Sequence, residues 1–260
     1  MEAAVFAYPG VGFSLVSTIR RSPDYLSRLS LVVSSARSSE IVAVDNYSEM
    51  VALMPDTEAK IEMLTQAKEE CKHILLLEKL AGYVGFPICE VPGKSQWDAF
   101  RRHFHSSANK QNLAACLIIQ HLMIESLAIG LYQVFASSAN GDAGTQRMAA
   151  SLLQDELRHL GVGVGQIQRL MREDSDRVHE ALVWAHGKVM PGLFDVLDEL
   201  CELLSVNGGL GCDTLVGHGG SVDLALLKLA PLNHYSLMLN QVGFERRVID
   251  SLIAMASDRT

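Results

Sequence analysis

Two Glu-x-x-His pairs are the residues of this sequence best suited to act together chemically: Glu70 with His73, and Glu156 with His159. Residues three apart lie on one face of a helix, so each pair can direct a carboxylate oxygen and an imidazole nitrogen at one point. Such a set of donors is typical of a metal site. Either pair alone is weak evidence, because an Asp-x-x-His sequence also occurs at 176–179, where we expect exposed residues.

A further candidate is Glu125, the one carboxylate within the apolar run 113–136. This run is too long for a strand, and its side chains are apolar on every side, which is typical of an innermost helix. A membrane span is the alternative. However, Gln120 and His121 at mid-span would be costly in lipid, and no basic cluster flanks the run. We therefore expect a core helix, in which a carboxylate must be protonated, paired or bound to a metal.

These donors together match a known arrangement of helices. Two helices with Glu-x-x-His, alternating with two helices that each supply one inward Glu, form the dimetal signature of ferritin-like carboxylate proteins. Glu125 is one of the single donors, and the other must come from the first helix, where Glu40 and Glu49 are both candidates. Carboxylates with two imidazoles suit iron or manganese better than copper or a structural zinc. The sequence therefore predicts two iron ions, with manganese possible.

Long periodic segments predict the elements that position these donors, namely an all-α, ferritin-like bundle of about eight helices. Pro55 ends the first helix, and Asp56 or Thr57 can cap the second. The helices are predicted at 24–53, 58–80, 96–104, 113–136, 145–171, 174–188, 191–206, 222–241 and 244–257. Residues 1–23 are expected to form an irregular arm before a single domain at 24–260.

The second helix is predicted from apolar residues that keep the helical period. They are Ile61, Leu64, Ala67, Cys71, Ile74 and Leu75.

Composition excludes several other classes. A net charge of −8 argues against a nucleic-acid surface, which is usually basic. Five scattered cysteines without a Cys-x-x-Cys pair indicate neither a disulfide framework nor a thiolate zinc site, which suits a reducing cytoplasm. Arg20 and Arg21 follow the apolar amino end instead of preceding it, the reverse of a secretory signal. We expect a cytoplasmic protein without stable membrane insertion.

Beyond the donors, four stretches of the chain resemble the cyanobacterial aldehyde-deformylating oxygenases, a ferritin-like di-iron family. They are CLIIQHLMIESLAIGLYQVF around Glu125, DNY at 45–47 leading to LMP at 53–55, DELRHLGVG at 155–163, and NQVGFERRVIDSL at 240–252. The resemblance runs from about residue 24 to the carboxyl end. The Gly-rich segment 207–220 departs from the family pattern, which leaves the substrate range open.

The resemblance implies a ligand set for the two iron ions. The first-helix ligand of the family lies five residues before the DNY, which here is Glu40; the other implied ligands are Glu70, His73, Glu125, Glu156 and His159. Tyr132 matches a tyrosine near the family's substrate channel. His121 replaces a small residue one turn before Glu125, where it either bonds a ligand carboxylate or is a core histidine bonded to a backbone carbonyl.

The resemblance also implies an activity: conversion of fatty aldehydes, with O2, to formate and an alkane or alkene one carbon shorter. Electrons must come from outside, from a ferredoxin-type donor and its reductase, because the chain has no nucleotide or flavin fingerprint. An acyl reductase would supply the aldehyde, and a monomer is expected. The alternatives are a di-iron oxygenase that hydroxylates or oxidises an amine or acyl substrate, and an iron-storage protein.

Overall fold

The protein is a helical bundle in a computed structural model that describes residues 7–8, 11–12, 23–89, 94–137, 143–206 and 224–257. The expected all-α architecture is confirmed. The helices are α1 (Pro23–Met50), α2 (Thr57–Val84), α3 (Lys94–Asn109), α4 (Leu113–Leu117), α5 (Glu125–Ser137), α6 (Ala143–Glu173), α7 (Ser175–Lys188), α8 (Met190–Val206), α9 (Leu224–Val242) and α10 (Arg246–Ser257). A 3-10 turn, Val51–Leu53, extends α1.

Four helical segments form the centre of the bundle. α1 packs most extensively on α2, and α5 packs most extensively on α6. α9 covers another side of α5, and α3 and α8 pack beside α1. The two pairs therefore enclose the space between them, and the remaining helices shield it from solvent.

The ends of α2 follow from local chemistry. Asp56 is its N-cap, since its carboxylate accepts a hydrogen bond from the Ala59 amide at 2.8 Å. Gly85 ends the helix with φ +89°, a left-handed conformation that glycine adopts without a steric penalty. Of the two predicted caps, the structure therefore selects Asp56.

The apolar residues that predicted α2 do not form its buried face. Ile61, Leu64 and Leu75 are exposed by 58%, 55% and 47%, although Ala67 is buried. The helix instead turns inward a face that includes Glu70 and His73. Apolar spacing alone does not identify the buried face of α2, because the side chains that this helix buries include polar ones, which face the other donors.

The central helix runs from α4 into α5 through a π-helical segment, Ile118–Ile124, that the sequence did not predict. The Glu125 amide donates to the Gln120 carbonyl, five residues back. Such a wide turn brings residues five apart, here Gln120 and Glu125, onto one side. The helix is apolar and long enough to cross a membrane, but 94% of its apolar window is buried in the bundle, as expected of a core helix.

Two glycines allow neighbouring helices to approach the central helix and each other closely. A Cβ placed at Gly163 of α6 would collide with the Cβ and Cγ of His121. A Cβ at Gly130 of α5 would come within 2.7 Å of the Pro231 ring, which lies inside α9. α6 therefore packs directly onto the π segment.

The amino-terminal arm is only partly described. Ala7–Tyr8 (β1) pairs antiparallel with Val11–Gly12 (β2), so these residues depart from the expected irregular chain. The rest of the arm and the Gly-rich segment 207–220 lie outside the described residues.

Candidate dimetal centre

Six side chains from four helical segments meet in the middle of the bundle, and none is more than 3% exposed. α1 contributes Glu40 and α5 contributes Glu125, while α2 and α6 each contribute one Glu-x-x-His pair. These are the six residues that the resemblance implied: Glu40, Glu70, His73, Glu125, Glu156 and His159.

The six side chains form two overlapping groups, in each of which all the potential ligand atoms lie within 4.8 Å of one another. The first group adds Glu40 and His73 to the two shared residues, and the second adds Glu125 and His159. Glu70 and Glu156 belong to both groups. This geometry suits two adjacent metal ions with two carboxylates between them.

The atoms that face the centre have no hydrogen-bond partner. This holds for both carboxylate oxygens of Glu70 and of Glu156, and for Nδ1 of His73 and His159. Buried polar atoms are rarely left unpaired in proteins. The Nδ1 atoms nevertheless lie 2.9 Å from Glu70 oxygens, in contacts that lack hydrogen-bond geometry. Converging, unpaired donors of this kind fit metal coordination.

Glu49, the alternative to Glu40, faces away from this centre. It lies about two and a half turns beyond Glu40 on α1, and therefore on the opposite face of the helix. Its carboxylate accepts from Nδ1 of His105 at 3.1 Å near the surface. Helix geometry combined with the apolar neighbours of Glu40, such as Ala36 and Ala43, was the sequence signal that distinguishes the two.

Each histidine is held by an acidic residue that sequence reasoning missed. Nε2 of His73 lies 3.2 Å from Asp155, and Nε2 of His159 lies 3.0 Å from Glu69. Asp155 immediately precedes Glu156 on α6 and contacts the histidine of α2. Glu69 immediately precedes Glu70 on α2 and contacts the histidine of α6. A carboxylate on Nε2 fixes the tautomer in which that nitrogen carries the proton and Nδ1 is free to bind a metal. In the sequence, the acidic residue directly before each Glu-x-x-His motif could have identified these two partners.

Glu125 is oriented by residues of α1 and the π segment. Its Oε1 accepts from the Tyr47 hydroxyl at 2.6 Å and from the Gln120 amide at 2.9 Å. Asn46 in turn donates to Gln120 at 2.7 Å. These contacts leave Oε2 of Glu125 available to the centre. Only the π turn brings Gln120 within reach, so the α-helical spacing of the sequence gave no sign of it.

Tyr132 connects the centre to an apolar region. Its hydroxyl donates to Oε1 of Glu40. Its ring belongs to a second core cluster between α1, α2, α5 and α6, composed of Leu29, Val33, Ala36, Leu77, Leu80, Ala81, Phe86, Ala128, Tyr132, Met148 and Leu152. Tyr132 therefore contacts both a candidate ligand and this apolar cluster.

His121 lies outside both groups of donors. Its Nε2 contacts the Gln66 side-chain oxygen at 3.0 Å, and no described contact joins it to a candidate ligand. Burial and the charge of His159 lower the pKa of His121 to about 3, so its ring is neutral at physiological pH. The π turn explains why His121 does not contact Glu125. It places Gln120, instead of His121, on the Glu125 side.

We predict that His121→Ala lowers stability but keeps the metal content. The substitution leaves the side-chain oxygen of Gln66 without its partner in the core, which costs about 1–3 kcal/mol. Thermal denaturation should show a lower Tm, while bound iron per folded chain stays as in the wild type. A tenfold weaker metal affinity at unchanged Tm would instead identify His121 as a partner of a ligand.

The electrostatics of the centre favour bound protons on several of its side chains. Burial, together with the negative charges of Glu40 and Glu125, raises the pKa of Glu70 to about 8. Burial and the charge of Glu156 raise the pKa of Glu125 as well. Burial alone would lower the pKa of His73, but its contacts with Asp155 and Glu156 outweigh burial and raise it.

Metal binding should therefore release protons and become tighter as pH rises. A metal ion needs deprotonated carboxylates and neutral Nδ1 atoms, so it competes with the protons held by the raised pKa values. We expect affinity for Mn2+ to increase as pH rises through about 8, the pKa of Glu70. Calorimetric titration in two buffers of different ionisation enthalpy measures the protons released. A buffer-independent enthalpy would contradict the prediction.

Comparison with known proteins agrees with this arrangement. The model of the long-chain fatty aldehyde decarbonylase family matches residues 22–210, which is more than half of the chain. Among solved structures, a Synechococcus protein with aldehyde deformylating oxidase activity has a TM-score of 0.75 at 19% identity. The match covers 90% of this chain and 98% of the Synechococcus protein. A variant of an R2-like ligand-binding oxidase with a Mn/Fe cofactor has a TM-score of 0.72 at 18% identity. This match covers 85% of this chain and 83% of the oxidase. At such identities the structures show a shared fold, whereas the family match shows that this chain belongs to the long-chain fatty aldehyde decarbonylases.

Proposed function

We propose that the chain is a di-iron oxygenase that converts medium- to long-chain fatty aldehydes to formate and a hydrocarbon one carbon shorter. The observation that carries this proposal is the pair of overlapping, buried donor groups beside the apolar cluster of Tyr132. Glu40 and His73 would bind one iron, Glu125 and His159 the other, and Glu70 and Glu156 both. When bound, the two ions supply the redox chemistry that activates O2. Manganese is a possible replacement, since the similar R2-like oxidase holds a Mn/Fe cofactor.

The surrounding residues keep the centre dry and the donors oriented. Asp155 and Glu69 hold the two imidazoles with Nδ1 inward. Burial and the neighbouring carboxylates raise the pKa of Tyr47 and of Tyr132 well above the usual value. Both phenols therefore stay protonated and act as hydrogen-bond donors to one oxygen of Glu125 and of Glu40. Each of these glutamates keeps its second oxygen for the centre.

The apolar cluster around Tyr132 supports a long aliphatic substrate. None of its members is charged, and Ala36, Ala81 and Ala128 are small residues. A hydrocarbon chain buried among such side chains gains roughly 25 cal/mol per Å² of apolar surface. The aldehyde group would then lie at the Tyr132 and Glu40 end, next to the donors. Affinity should rise with each methylene until the space is full.

The proposed reaction consumes one aldehyde, one O2, four electrons and four protons, and yields the hydrocarbon, formic acid and water. The C1–C2 bond breaks, C1 leaves as formate, and a proton replaces it on C2. External electrons are needed, which we assign to a ferredoxin-type donor and its reductase, while an acyl reductase would produce the aldehyde. We further propose a cytoplasmic monomer, in keeping with the free thiols of Cys71, Cys89 and Cys116.

Product analysis tests the reaction. Anaerobically iron-loaded protein, given aldehydes of increasing length, O2 and a reducing system, should release formate and the shortened hydrocarbon in equal amounts. His159→Ala, which removes a proposed ligand, serves as the inactive control. A carboxylic acid or hydroxylated product of unchanged carbon number would favour a tailoring oxygenase. Many irons per chain in a large shell would favour iron storage.

A further inference from the structure

The outward face of α2 carries a mixed apolar and basic stripe that neither the core nor the dimetal centre uses. We call it the α2 stripe; it consists of Ile61, Leu64, Lys68, Cys71, Lys72, Leu75, Lys79 and Tyr83. All of them are exposed except Lys72, which is half-buried. At 1.5 Å per residue the stripe is about 33 Å long. This length is sufficient for a protein interface.

The apolar part of the α2 stripe is unusual for a solvent-exposed helix. Ile61, Leu64, Leu75 and Tyr83 are each about half exposed or more. An apolar patch bordered by polar residues on a monomer marks an interaction site more often than a chance arrangement. The inward face of the same helix already supplies its core contacts, so the fold itself does not require these side chains.

The charged part of the α2 stripe is entirely positive, on a chain whose net charge is −8. Two glutamates at its borders face other partners: Glu78 pairs with Arg37 at 2.7 Å, and Glu69 contacts His159 at 3.0 Å. Like-signed lysines beside apolar side chains complement a partner with an acidic rim and an apolar centre. Nucleic acid fits poorly, because the rest of the surface would repel it.

The α2 stripe is also close to the centre. Glu70 and His73 project from the inward face of the same helix, so only one helix diameter, about 10 Å, separates the stripe from the donors. His73 is further linked to Asp155, whose side chain is 41% exposed, at 3.2 Å. Electrons that enter at this face therefore have a short route to the metal ligands.

We propose that the α2 stripe is the docking site of an acidic one-electron carrier protein that reduces the centre. This inference rests on the proposed function, which requires external electrons. Charge complementarity favours an acidic partner protein. The short distance to the donors allows that partner to reduce the centre. An anionic membrane surface and a second copy of this chain are the other occupants that the same side chains could receive, and both are outcomes of the test.

Charge reversal on the holoenzyme provides the test. An acidic [2Fe–2S] ferredoxin is titrated into the iron-loaded wild type, the K68E/K72E variant and the matched R246E/R247E variant, in which the same charge change is made on α10. The stripe variant should bind at least tenfold more weakly, and donor-driven iron reduction should slow accordingly, whereas the α10 variant stays near wild type. A second stripe variant, L64S/L75S, should also weaken binding without changing net charge.

The remaining readouts separate the alternatives. Iron reduction by dithionite should be the same in all variants, which shows that the centre itself is intact. Equal ferredoxin affinity in the K68E/K72E and R246E/R247E variants would overturn the proposal. So would stripe-dependent binding to phosphatidylglycerol vesicles, or a stripe-dependent dimer, without an effect on ferredoxin. Ferredoxin binding is measured without aldehyde, so failure of the proposed reaction leaves this result interpretable.

Discussion

Glu70→Ala and Glu156→Ala will each lose nearly all bound iron, because both carboxylates belong to both groups of donors. Removal of either leaves two incomplete sites with unpaired buried charges around them. Glu49→Ala is the matched control, since it deletes a glutamate of α1 that faces His105 near the surface. We expect it to retain the two irons of the wild type. Metal analysis after anaerobic reconstitution and gel filtration measures these values.

Substitution of the unshared ligands should give intermediate losses. His159→Ala and Glu125→Ala remove donors of one group, so about one iron per chain should remain, bound by the group of Glu40 and His73. Circular dichroism verifies that each variant is folded. Full iron content in Glu70→Ala, or a loss in Glu49→Ala as large as in Glu40→Ala, would refute the assignment.

Gly163→Ala will strongly destabilise the protein. The new Cβ would collide with the Cβ of His121, an atom that no rotation of the side chain can move. α6 must then separate from the π segment, and overpacking of this kind costs about 3 kcal/mol. For a chain of this size, that should lower Tm by roughly 6–12 °C. Thermal unfolding followed by circular dichroism measures the change.

Gly161→Ala, one half-turn earlier on α6, is the control. A Cβ at Gly161 meets nothing within 4 Å, and the position is exposed. Alanine there reduces the flexibility of the unfolded chain and should raise stability by about 0.5–1 kcal/mol. Similar Tm values for the two variants would mean that α6 and the central helix are not in close contact at Gly163.

The ligands were predictable from sequence because their spacing is regular and their surroundings are unusual. Glu-x-x-His places two donors on one helix face, and a carboxylate within an apolar run has few alternatives to a metal. The orientation of α2 was not predictable by the same means. Apolar periodicity assumes that the buried face is the apolar one, whereas α2 buries Glu70 and His73 and leaves Ile61 and Leu64 in solvent.

The π segment was unpredictable for a related reason. Its residues are buried on every side, so an extra residue in the turn disturbs no apolar pattern that could reveal it. The consequences were nevertheless specific, since the turn placed Gln120 beside Glu125 and moved His121 toward Gln66. The spacing of a regular α-helix would instead place His121, four residues before Glu125, on the Glu125 side.

The all-round apolar character of the central helix bears on how the protein selects a single native packing. If such a helix rotated about its axis, it would bury nearly the same apolar area, so burial alone does not fix its orientation. The polar side chains do: Gln120 and Glu125 find partners in Asn46 and Tyr47, and His121 finds one in Gln66. A rotated helix would leave these groups unpaired in a dry interior. The hydrogen bonds that orient the side chains at the centre thus also select one rotational orientation of the central helix.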